Sequence, residues 1–353
     1  MTPHFYDFYS GAGGTSRGMQ DAGMTVRFGL DIDPDAKTTY QANYKNAGFI
    51  CRDIRSVSAD EIAHYIKRQD GCPLVFGACA PCQPFSKQNR AKNSKDSNRN
   101  LLGEFHRFVE AHTPEYIFVE NVPGLQTVEN RHGPFAEFIR LLESLEYFFD
   151  HKIVTAYHYG VPQSRRRLVL LASLLAPIKI PPATHGPGTE RPDFPTVWEC
   201  ISHLPPIDAG ETHAEVPNHQ AARLSPKNLR RIALTPVGGD RRDWPPELEL
   251  RCHQKHSGHT DVYGRMIKDR PSAALTTRCI SLSNGRYGHP TQNRAISVRE
   301  AACIQTFPMD FIFRGALTST ARQVGNAVPV AMAKVFGEAI IRHYQSHKKT
   351  RAA

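Results

Sequence analysis

The sequence lacks the features of a membrane, secreted or disulfide-stapled protein. No apolar run approaches the ~18 residues of a membrane span, and the mean hydropathy is -0.44. The eight cysteines form no dense, evenly spaced framework. The first residues, MTPHFYDFYSGAGG, do not show the basic and then apolar pattern of a signal peptide. We therefore expect a soluble, cytoplasmic protein in a reducing setting, with no membrane partner.

The length and the charge narrow the class further. A chain of 353 residues is long enough for one large domain and a smaller one, with a core that needs no disulfides. The formal net charge of +10 and the pI of about 9.2 favour a polyanionic partner. Charge alone leaves nucleic acid, an acidic surface and simple solubility all open.

The order of apolar runs predicts the fold class. Short apolar runs alternate with helix-like stretches, which favours an α/β fold with a Rossmann-like, doubly wound, mainly parallel sheet. The runs are FYDFY, TVRFGLDI, GFICRDI, PLVFGA, YIFVENV, YFFDHKIVTAYHYG and RRLVLLAS. Residues 173–290 differ, because they hold 15 of the 26 prolines and 8 of the 17 histidines. We expect a second, smaller, loop- and strand-rich domain there. Helical periodicity returns in SVREAACIQTF and in QVGNAVPVAMAKVFGEAIIRHYQ, so the chain returns to the first domain.

The first chemical motif is a glycine-rich turn, FYDFYSGAGGTSRG, between a strand and a helix. Gly11, Gly13 and Gly14 would let a ligand approach the backbone, although a plain strand-to-helix turn has the same appearance. The next strand ends in acids about twenty residues later, where a carboxylate can accept hydrogen bonds from ribose; Asp31 is favoured over Asp33. No lysine follows the glycines, and the G-x-G-x-x-G pattern is incomplete. An adenosine ligand without a phosphate chain fits this motif best.

The stretch GACAPCQPFSKQN contains a C-x-x-C pair, Cys79 and Cys82. A structural zinc site is disfavoured, since cysteines 51, 72, 200, 252, 279 and 303 form no second pair. A thioredoxin-like pair would need a helix N-terminus, whereas Pro81 and Pro84 flank Cys82, so a redox role is weaker but open. The remaining interpretation is a single nucleophilic thiol, which needs nearby chemistry to be useful.

Two strand ends offer that chemistry. YIFVENVPG places Glu120 at the end of an apolar strand, where partial burial could let a carboxylate carry a proton. VPQSRRRLVLLA places Arg165, Arg166 and Arg167 at the start of another strand. Taken singly, the glutamate could be a cap or an ion pair and the arginines a solvated edge. Taken together, they line a rim of strand ends beside the predicted ligand crevice.

Over nearly its whole length the chain resembles the DNA (cytosine-5) methyltransferase family of bacterial restriction-modification systems. The resemblance lies in an ordered series of motifs: DFYSGAGGTSRG, GACAPCQPFS, FVENVPG, QSRRR, REAACIQTFP and QVGNAVP. It implies transfer of a methyl group from S-adenosylmethionine to C5 of a cytosine, S-adenosylhomocysteine as product, and no metal. It also implies a catalytic domain over 1–172 and 318–353, a target-recognition domain over 173–290 and a hinge segment over 291–317.

Matching the family motifs residue by residue gives the expected site. The catalytic residues would be Cys82 as the nucleophile, Glu120, Arg165 and Arg167. The cofactor contacts would be Tyr9, Ser10, Gly11, Gly13, Gly14, Asp31, Ile32, Asp53, Ile54, Leu101, Asn326 and Val328. The sequence departs from the family in one place, where Cys303 stands in a position that is commonly basic in the helix before QTFP.

The expected partner is double-stranded DNA, bound by a monomer that acts at the nucleoid. Because C5 and C6 are stacked inside a duplex, the target base must be flipped out. Residues 86–99 carry five basic side chains against one acid, and we interpret them as a loop that closes over DNA. Expected DNA contacts are Gln83, Ser86, Lys87, Arg90, Arg278 and Arg286. A restriction endonuclease could accompany the enzyme without a stable complex, and an RNA (tRNA) methyltransferase or a silent nucleic-acid-binding relative stay as alternatives.

Overall fold

The computed structural model describes residues 2–66, 68, 72–81, 101–124, 133–254, 258 and 260–352. Its strands are β1 His4–Phe8, β2 Thr25–Asp31, β3 Gly48–Cys51, β4 Leu74–Ala78, β5 Tyr116–Asn121, β6 Phe148–Thr155 and β7 Arg166–Ser173. Its helices are α1 Gly14–Asp21, α2 Pro34–Asn43, α3 Ala59–Ala63, α4 Leu101–His112, α5 Pro134–Ser144, α6 Val197–Ile201, α7 Pro226–Leu234, α8 Arg251–Gln254, α9 Val298–Ile304, α10 Leu317–Asn326 and α11 Val330–Ala352. Each of the seven apolar runs in the sequence coincides with one strand to within a residue or overlaps it.

The seven strands form one sheet in the order β3-β2-β1-β4-β5-β7-β6. Strands β1 to β5 pair in parallel, while β7 is antiparallel to both β5 and β6. The chain first builds outward from β1 through β2 and β3, and then returns to β4 on the other side. This reversal creates the switch point at which open α/β sheets bind ligands, outside the carboxyl ends of their strands. The predicted fold class is confirmed.

The chain divides into two compact units. The sheet unit comprises Met1–Thr155, Arg166–Ala183 and Val328–Ala353, and the loop-rich unit comprises Ala156–Arg165 and Thr184–Ala327. By compactness, residues 291–317 and helix α10 therefore group with the loop-rich unit. The catalytic, target-recognition and hinge roles of the three predicted domains stay predictions.

The core of the sheet unit is built on aromatic side chains from the middle strands. Phe8 on β1 lies 5.0 to 6.0 Å, between ring centroids, from the rings of Phe28, Phe76, Phe105 and Phe108. Because β1 and β4 are covered on both faces, each of their residues is buried. The last two of these rings lie on α4, so this apolar cluster fixes α4 against the sheet.

The loop-rich unit holds together without a sheet. Among the residues that the structure describes there, pairing is limited to isolated bridges such as Gln163↔Ser272 and Arg265↔Gly288. The expectation that the second domain is rich in strands is therefore wrong, whereas the expectation that it is rich in loops is confirmed. The physical reason lies in the prolines, which have no N–H to give to a ladder.

Buried arginines supply the missing donors. Arg265 is 4% exposed, and its guanidinium donates to the carbonyl oxygens of Ile232, Thr235, His289 and Gln292. Arg299, 0% exposed, likewise donates to the carbonyl oxygens of Pro217, Pro308 and Phe311. A guanidinium has five N–H donors in a fixed plane, so one side chain can satisfy several buried carbonyls of irregular backbone.

A buried ion pair anchors α9 within the same unit. The Arg294 guanidinium makes two 2.7 Å contacts with the Glu300 carboxylate, one to each oxygen. Glu300 also accepts from the Ser297 N–H and so closes a capping box at the start of the helix. Farther along α9, Cys303 is buried with its sulfur 3.8 Å from the sulfur of Met309. Burial raises the pKa of Cys303 to about 11, so this thiol is neutral and packs as an apolar group.

One stretch, Leu317–Thr350, which contains α10 and most of α11, is long and apolar enough to cross a membrane by length and composition, but 61% of its apolar window is buried inside the fold. The core helix of a soluble protein has the same properties, so this stretch is weak evidence for a membrane span.

We predict that Arg265→Ala destabilises the protein strongly. Loss of the guanidinium leaves several buried carbonyls without a donor, and each such group costs about 1 to 3 kcal/mol, so we expect a loss of about 3 kcal/mol or more. The matched control is Arg230→Ala, which removes an arginine whose side chain is 64% exposed in its 3.5 Å ion pair with Glu247. That loss should stay below about 0.5 kcal/mol. Urea denaturation measures both; equal losses would contradict the role assigned to Arg265.

Candidate active site at the carboxyl edge of the sheet

The glycine turn follows β1 directly, and three of its residues have positive φ values. Tyr9 and Gly11 have positive φ values of 59° and 50°, and Gly13 has φ 92°. A Cβ on Gly13 would lie 2.5 Å from the ring of Tyr44, whose hydroxyl donates to the Gly13 carbonyl at 2.6 Å. Gly13 is thus required by both conformation and space. A Cβ on Gly11 would meet no described atom within 4 Å, so that side of the turn is open to a ligand.

Asp31, at the end of β2, fixes this turn. The Gly11 N–H donates to Asp31 Oδ2 at 2.8 Å, and the Asp33 N–H donates to Asp31 Oδ1 at 2.9 Å. Burial raises the pKa of Asp31. Each carboxylate oxygen can accept a second hydrogen bond, so ribose hydroxyls remain possible ligands. The neighbouring Ile32 is 63% exposed, an apolar surface suited to one face of a flat base.

The third strand end carries Asp53 and Ile54. The Asp53 carboxylate forms a two-pronged contact with Arg55, with Nε at 2.9 Å from Oδ1 and Nη2 at 2.5 Å from Oδ2. The hydrogen bond from Arg55 holds the pKa of Asp53 below its usual value. The side chain of Ile54 is buried, so Ile54 can offer a ligand mainly its backbone.

A carboxylate that sequence reasoning missed lies beneath the glycine turn. Asp7 on β1 is fully buried, and its Oδ2 accepts from the Ser16 hydroxyl at 2.6 Å and from the Ser16 N–H at 3.2 Å. Burial raises the pKa of Asp7 to about 7, and the bonds from Ser16 oppose that rise. These bonds tie the first turn of α1 to the strand. The available signal was an acid inside the apolar run FYDFY.

Glu120 and Arg167 meet at the ends of β5 and β7. Antiparallel pairing sets Glu120 opposite Val169, so Arg167, two residues away, lies on the same face as a diagonal neighbour. Arg167 Nε lies 2.9 Å from Glu120 Oε1, with the two side chains 16% and 8% exposed. No described donor is aimed at Oε1 in hydrogen-bond geometry, so the contact is an ion pair. The contact places the carboxyl group of Glu120 and the guanidinium of Arg167 side by side.

The backbone at Ala80, two residues after the end of β4, is held by Asn121. Its Nδ2 donates to the Ala80 carbonyl at 3.1 Å, while its Oδ1 accepts from the Val122 N–H at 2.8 Å. Cys79 lies 3.4 Å, sulfur to oxygen, from Thr15 Oγ1. Burial and the Glu120 carboxylate raise the pKa of Cys79 well above its usual value. Cys79 is therefore a neutral thiol, which is a poor nucleophile.

Several sequence-predicted residues lie outside the part of the chain that the structure describes. They are the nucleophile Cys82 and the expected DNA contacts Gln83, Ser86, Lys87 and Arg90. The basic segment 86–99 lies there too.

Arg165 belongs to the loop-rich unit and is buried. It donates to the carbonyl oxygens of Leu275 and Gly325, each at 3.1 Å. Gln163, which sequence reasoning missed, donates to Gln305 Oε1 at 2.8 Å and accepts from the Leu275 N–H at 2.9 Å. A Cβ on Gly325 would lie 1.9 Å from the Thr276 carbonyl oxygen. These contacts give Arg165 a supporting role within its own unit.

The other predicted residues are distributed between the two units. Asn326 is exposed at the end of α10 in the loop-rich unit, and Val328 is buried in the sheet unit. Arg278 is exposed and stays a candidate for DNA contact. Arg286 instead donates to the Gly238 and Gly239 carbonyls, both at 2.7 Å. Its guanidinium is engaged inside the loop-rich unit, which argues against base reading.

Within the described residues, no group of three or more His, Cys, Asp or Glu side chains could hold a metal ion.

Comparison with solved structures gives the fold. A DNA modification methyltransferase encoded within an E. coli prophage matches with a TM-score of 0.74 at 22% identity, covering 97% of this chain and 99% of that one. The Entamoeba histolytica methyltransferase EhMeth matches with a TM-score of 0.65 at 17% identity, covering 97% and 99%. At these identities the likeness shows the fold, which is that of methyltransferases.

The sequence comparisons show the family. The chain belongs to the C-5 cytosine-specific DNA methylase family, whose family model matches residues 4–342. The Type II methylase M.HgiDII of Herpetosiphon aurantiacus is 40% identical over 353 residues, covering 98% of this chain and 97% of the relative. The Type II methyltransferase M1.HphI of Haemophilus parahaemolyticus is 33% identical, covering 97% and 87%. The chain is therefore a DNA (cytosine-5) methyltransferase, and its family implies the use of S-adenosylmethionine.

We predict that Asp31→Ala weakens binding of S-adenosylmethionine. If Asp31 bonds the ribose, as the resemblance implies, the loss of a charge-assisted bond is worth roughly 1.5 to 3 kcal/mol. Methylation should recover in part at saturating cofactor. The comparison variant is Asp33→Ala, which removes the N-cap of α2 but leaves Asp31 in place. Calorimetry that shows unchanged affinity in Asp31→Ala, or a larger loss in Asp33→Ala, would contradict the assignment.

Proposed function

We propose that the carboxyl edge of the sheet unit binds S-adenosylmethionine and that the adjacent Glu120–Arg167 pair acts on a flipped-out cytosine of double-stranded DNA. The observation that carries this proposal is the 2.9 Å contact between Glu120 and Arg167. Glu120 lies on β5, and β5 is two strands away in the sheet from β1, which leads into the glycine turn. When bound, S-adenosylmethionine supplies an electrophilic methyl group on a sulfonium.

The cofactor residues fit an adenosine ligand. Gly11 leaves its side of the turn open, Asp31 offers carboxylate oxygens, and Ile32 offers exposed apolar surface. In this assignment Asp31 accepts from the ribose and Ile32 packs on the base. The backbone of Ile54 and Leu101 completes the contacts proposed for the sheet unit.

Cys82 is the proposed nucleophile. C5 of cytosine is a poor nucleophile, so the Cys82 thiolate adds to C6 while Glu120 passes a proton from water to N3, and the C5=C6 electron pair enters an enamine that is nucleophilic at C5. C5 would then take the methyl group, with S-adenosylhomocysteine as the leaving product. Water takes the C5 proton, expulsion of the Cys82 thiolate restores the C5=C6 bond, and the N3 proton returns through Glu120. Since burial keeps Cys79 protonated, Cys79 is the bystander of the pair.

Arg167 holds the base beside Glu120. Its guanidinium is always charged, so it can bond the cytosine O2 and stabilise the negative charge that develops there. The ion pair with Glu120 aligns both groups before the base arrives. Arg165 acts differently: its bonds to the Leu275 and Gly325 carbonyls hold backbone of the loop-rich unit in place.

The loop-rich unit is proposed to read the DNA sequence. Its irregular backbone, fixed by buried arginines, presents loops from a rigid support, and Arg278 is exposed on one of them. Some of its arginines will contact phosphates and add affinity without specificity. We propose a monomer that acts at the nucleoid beside a restriction endonuclease, without a stable complex between them. An RNA methyltransferase is the second candidate, because it would share the catalytic residues.

We predict that Cys82→Ser abolishes methyl transfer and leaves DNA binding largely intact, because a serine hydroxyl is far less ionised than a thiol. Cys79→Ser is the matched control and should keep most activity. DNA with 5-fluorocytosine at the target traps the adduct, since fluorine cannot leave as the C5 proton does. A denaturation-resistant adduct is expected in the parent and in Cys79→Ser only. An adduct in Cys82→Ser would show that another residue is the nucleophile.

We also predict that residues 173–290 determine the recognition sequence. Grafted into a relative with a different known target, they should bring the specificity of this chain, because base-edge contacts each discriminate by about 1 to 3 kcal/mol. Sequencing of the methylated products gives the result. An active graft that keeps the recognition site of its host would place specificity elsewhere.

A further inference from the structure

Helix α4 is bonded to the glycine turn through Tyr9. The Tyr9 hydroxyl donates to the carbonyl oxygen of Leu101, the first residue of the helix. Tyr9 itself holds φ 59°, a left-handed conformation that is uncommon for a residue other than glycine and is retained only where the surroundings determine it. The bond therefore joins the strained start of the turn to the start of α4.

The same helix is bonded to the turn after β3 through Arg107. Its Nη1 donates to the Val57 carbonyl at 2.5 Å, and its Nη2 donates to the Ile54 carbonyl. Glu104, one turn earlier on α4, accepts from Arg107 Nε at 3.2 Å, and the guanidinium carbon lies 4.3 Å from the Phe108 ring centroid. The guanidinium is thus held on three sides and spans two carbonyls of one short segment, residues 53–57.

The two contacts belong to one cluster. Burial raises the pKa of Tyr9, and the carboxylates of Glu104 and Asp53 raise it further. The hydroxyl therefore stays protonated and remains a donor to Leu101. Tyr9 bonds the first residue of α4, and Arg107 on the same helix bonds Val57 and Ile54, so the glycine turn and segment 53–57 are both attached to α4.

We propose that Tyr9 and Arg107 are positioning residues for the cofactor, through which α4 sets the separation of the glycine turn and segment 53–57. This inference rests on the proposed cofactor site, which uses both segments. Arg107 acts through the backbone of Ile54, and the Tyr9 hydroxyl acts through the backbone of Leu101. Neither group is required to touch the reacting methyl.

The packing of the unit separates this role from simple stability. The aromatic cluster around Phe8 already fixes α4 against the sheet, and the side chain of Arg107 is 33% exposed at the rim of that cluster. Removing one rim hydrogen bond should therefore leave the fold intact. What changes is the spacing between two loops that must contact one ligand together.

The experiment measures the Kd of S-adenosylhomocysteine by calorimetry in two variants. Tyr9→Phe removes only the hydroxyl, and Arg107→Lys keeps the charge but cannot span two carbonyls with one planar group. Each should raise the Kd about fivefold, the value of one lost hydrogen bond. The loss should fall on KM for S-adenosylmethionine rather than on kcat. The double variant should lose less than the product of the two factors, because both residues act through α4.

Two controls remove bonds of the same kind outside the cofactor site. In Tyr6→Phe, a tyrosine on β1, the strand that precedes the glycine turn, loses its hydroxyl bond to the Tyr65 carbonyl, 3.1 Å long. In Arg68→Lys, which matches Arg107→Lys, the other end of α4 loses the planar group that donates bonds of 2.6 and 3.2 Å to the His112 and Thr113 carbonyls and contacts Glu115 at 2.8 Å. Both controls should bind S-adenosylhomocysteine within about twofold of the parent, whatever their thermal stability.

Each outcome bears on a different claim. If the parent binds S-adenosylhomocysteine and Asp31→Ala weakens that binding, the proposed cofactor site is supported. If Tyr9→Phe and Arg107→Lys then bind with the Kd of the parent, the positioning role alone is overturned. Equal losses in the two variants and the two controls would also overturn it, since they would report stability. A parent that does not bind S-adenosylhomocysteine would overturn the cofactor site itself. A Tm near that of the parent shows that the variants are folded.

Discussion

Parallel pairing is the constraint on which the rest of the sheet unit depends. Because β1, β2, β4 and β5 run in one direction, their carboxyl ends share one edge, where open α/β sheets bind ligands. The glycine turn, Asp31, Cys79 and Glu120 each follow or end such a strand. The antiparallel β7 is the exception that completes the site, since its reversed direction brings the start of the strand, with Arg167, to this edge.

The two units satisfy the hydrogen bonds of their buried backbone groups in different ways. In the sheet unit a ladder pairs the buried N–H and C=O groups. In the loop-rich unit, prolines interrupt any ladder, and guanidinium groups such as those of Arg265 and Arg299 satisfy the carbonyls instead. Arg165 belongs to this second solution. The motif that contains Arg165 and Arg167 therefore combines support of the backbone by Arg165 with the contact to the base that we propose for Arg167.

The sequence predicted what local patterns determine. Apolar runs marked all seven strands, and the spacing from the glycine turn pointed to Asp31, whose carboxylate does bond Gly11. It did not predict Asn121 holding Ala80 or Arg107 holding Ile54, because these partners are 41 and 53 residues apart. Such contacts depend on how the helices pack, which no local period encodes. The strand-rich second domain was mispredicted because buried arginines, which pattern rules assign to the surface, replace a ladder there.

The central claim is that this edge of the sheet directs a methyl group to C5 of cytosine in DNA. The most direct measurement incubates the parent and Glu120→Gln with methyl-labelled S-adenosylmethionine and a mixture of DNA and RNA, and then identifies the labelled nucleoside by mass spectrometry. The account predicts label in 5-methyldeoxycytidine with the parent and a large loss in Glu120→Gln, whose amide cannot donate the proton of a carboxylic acid. Label in RNA, on a cytosine atom other than C5, or undiminished in Glu120→Gln would contradict it.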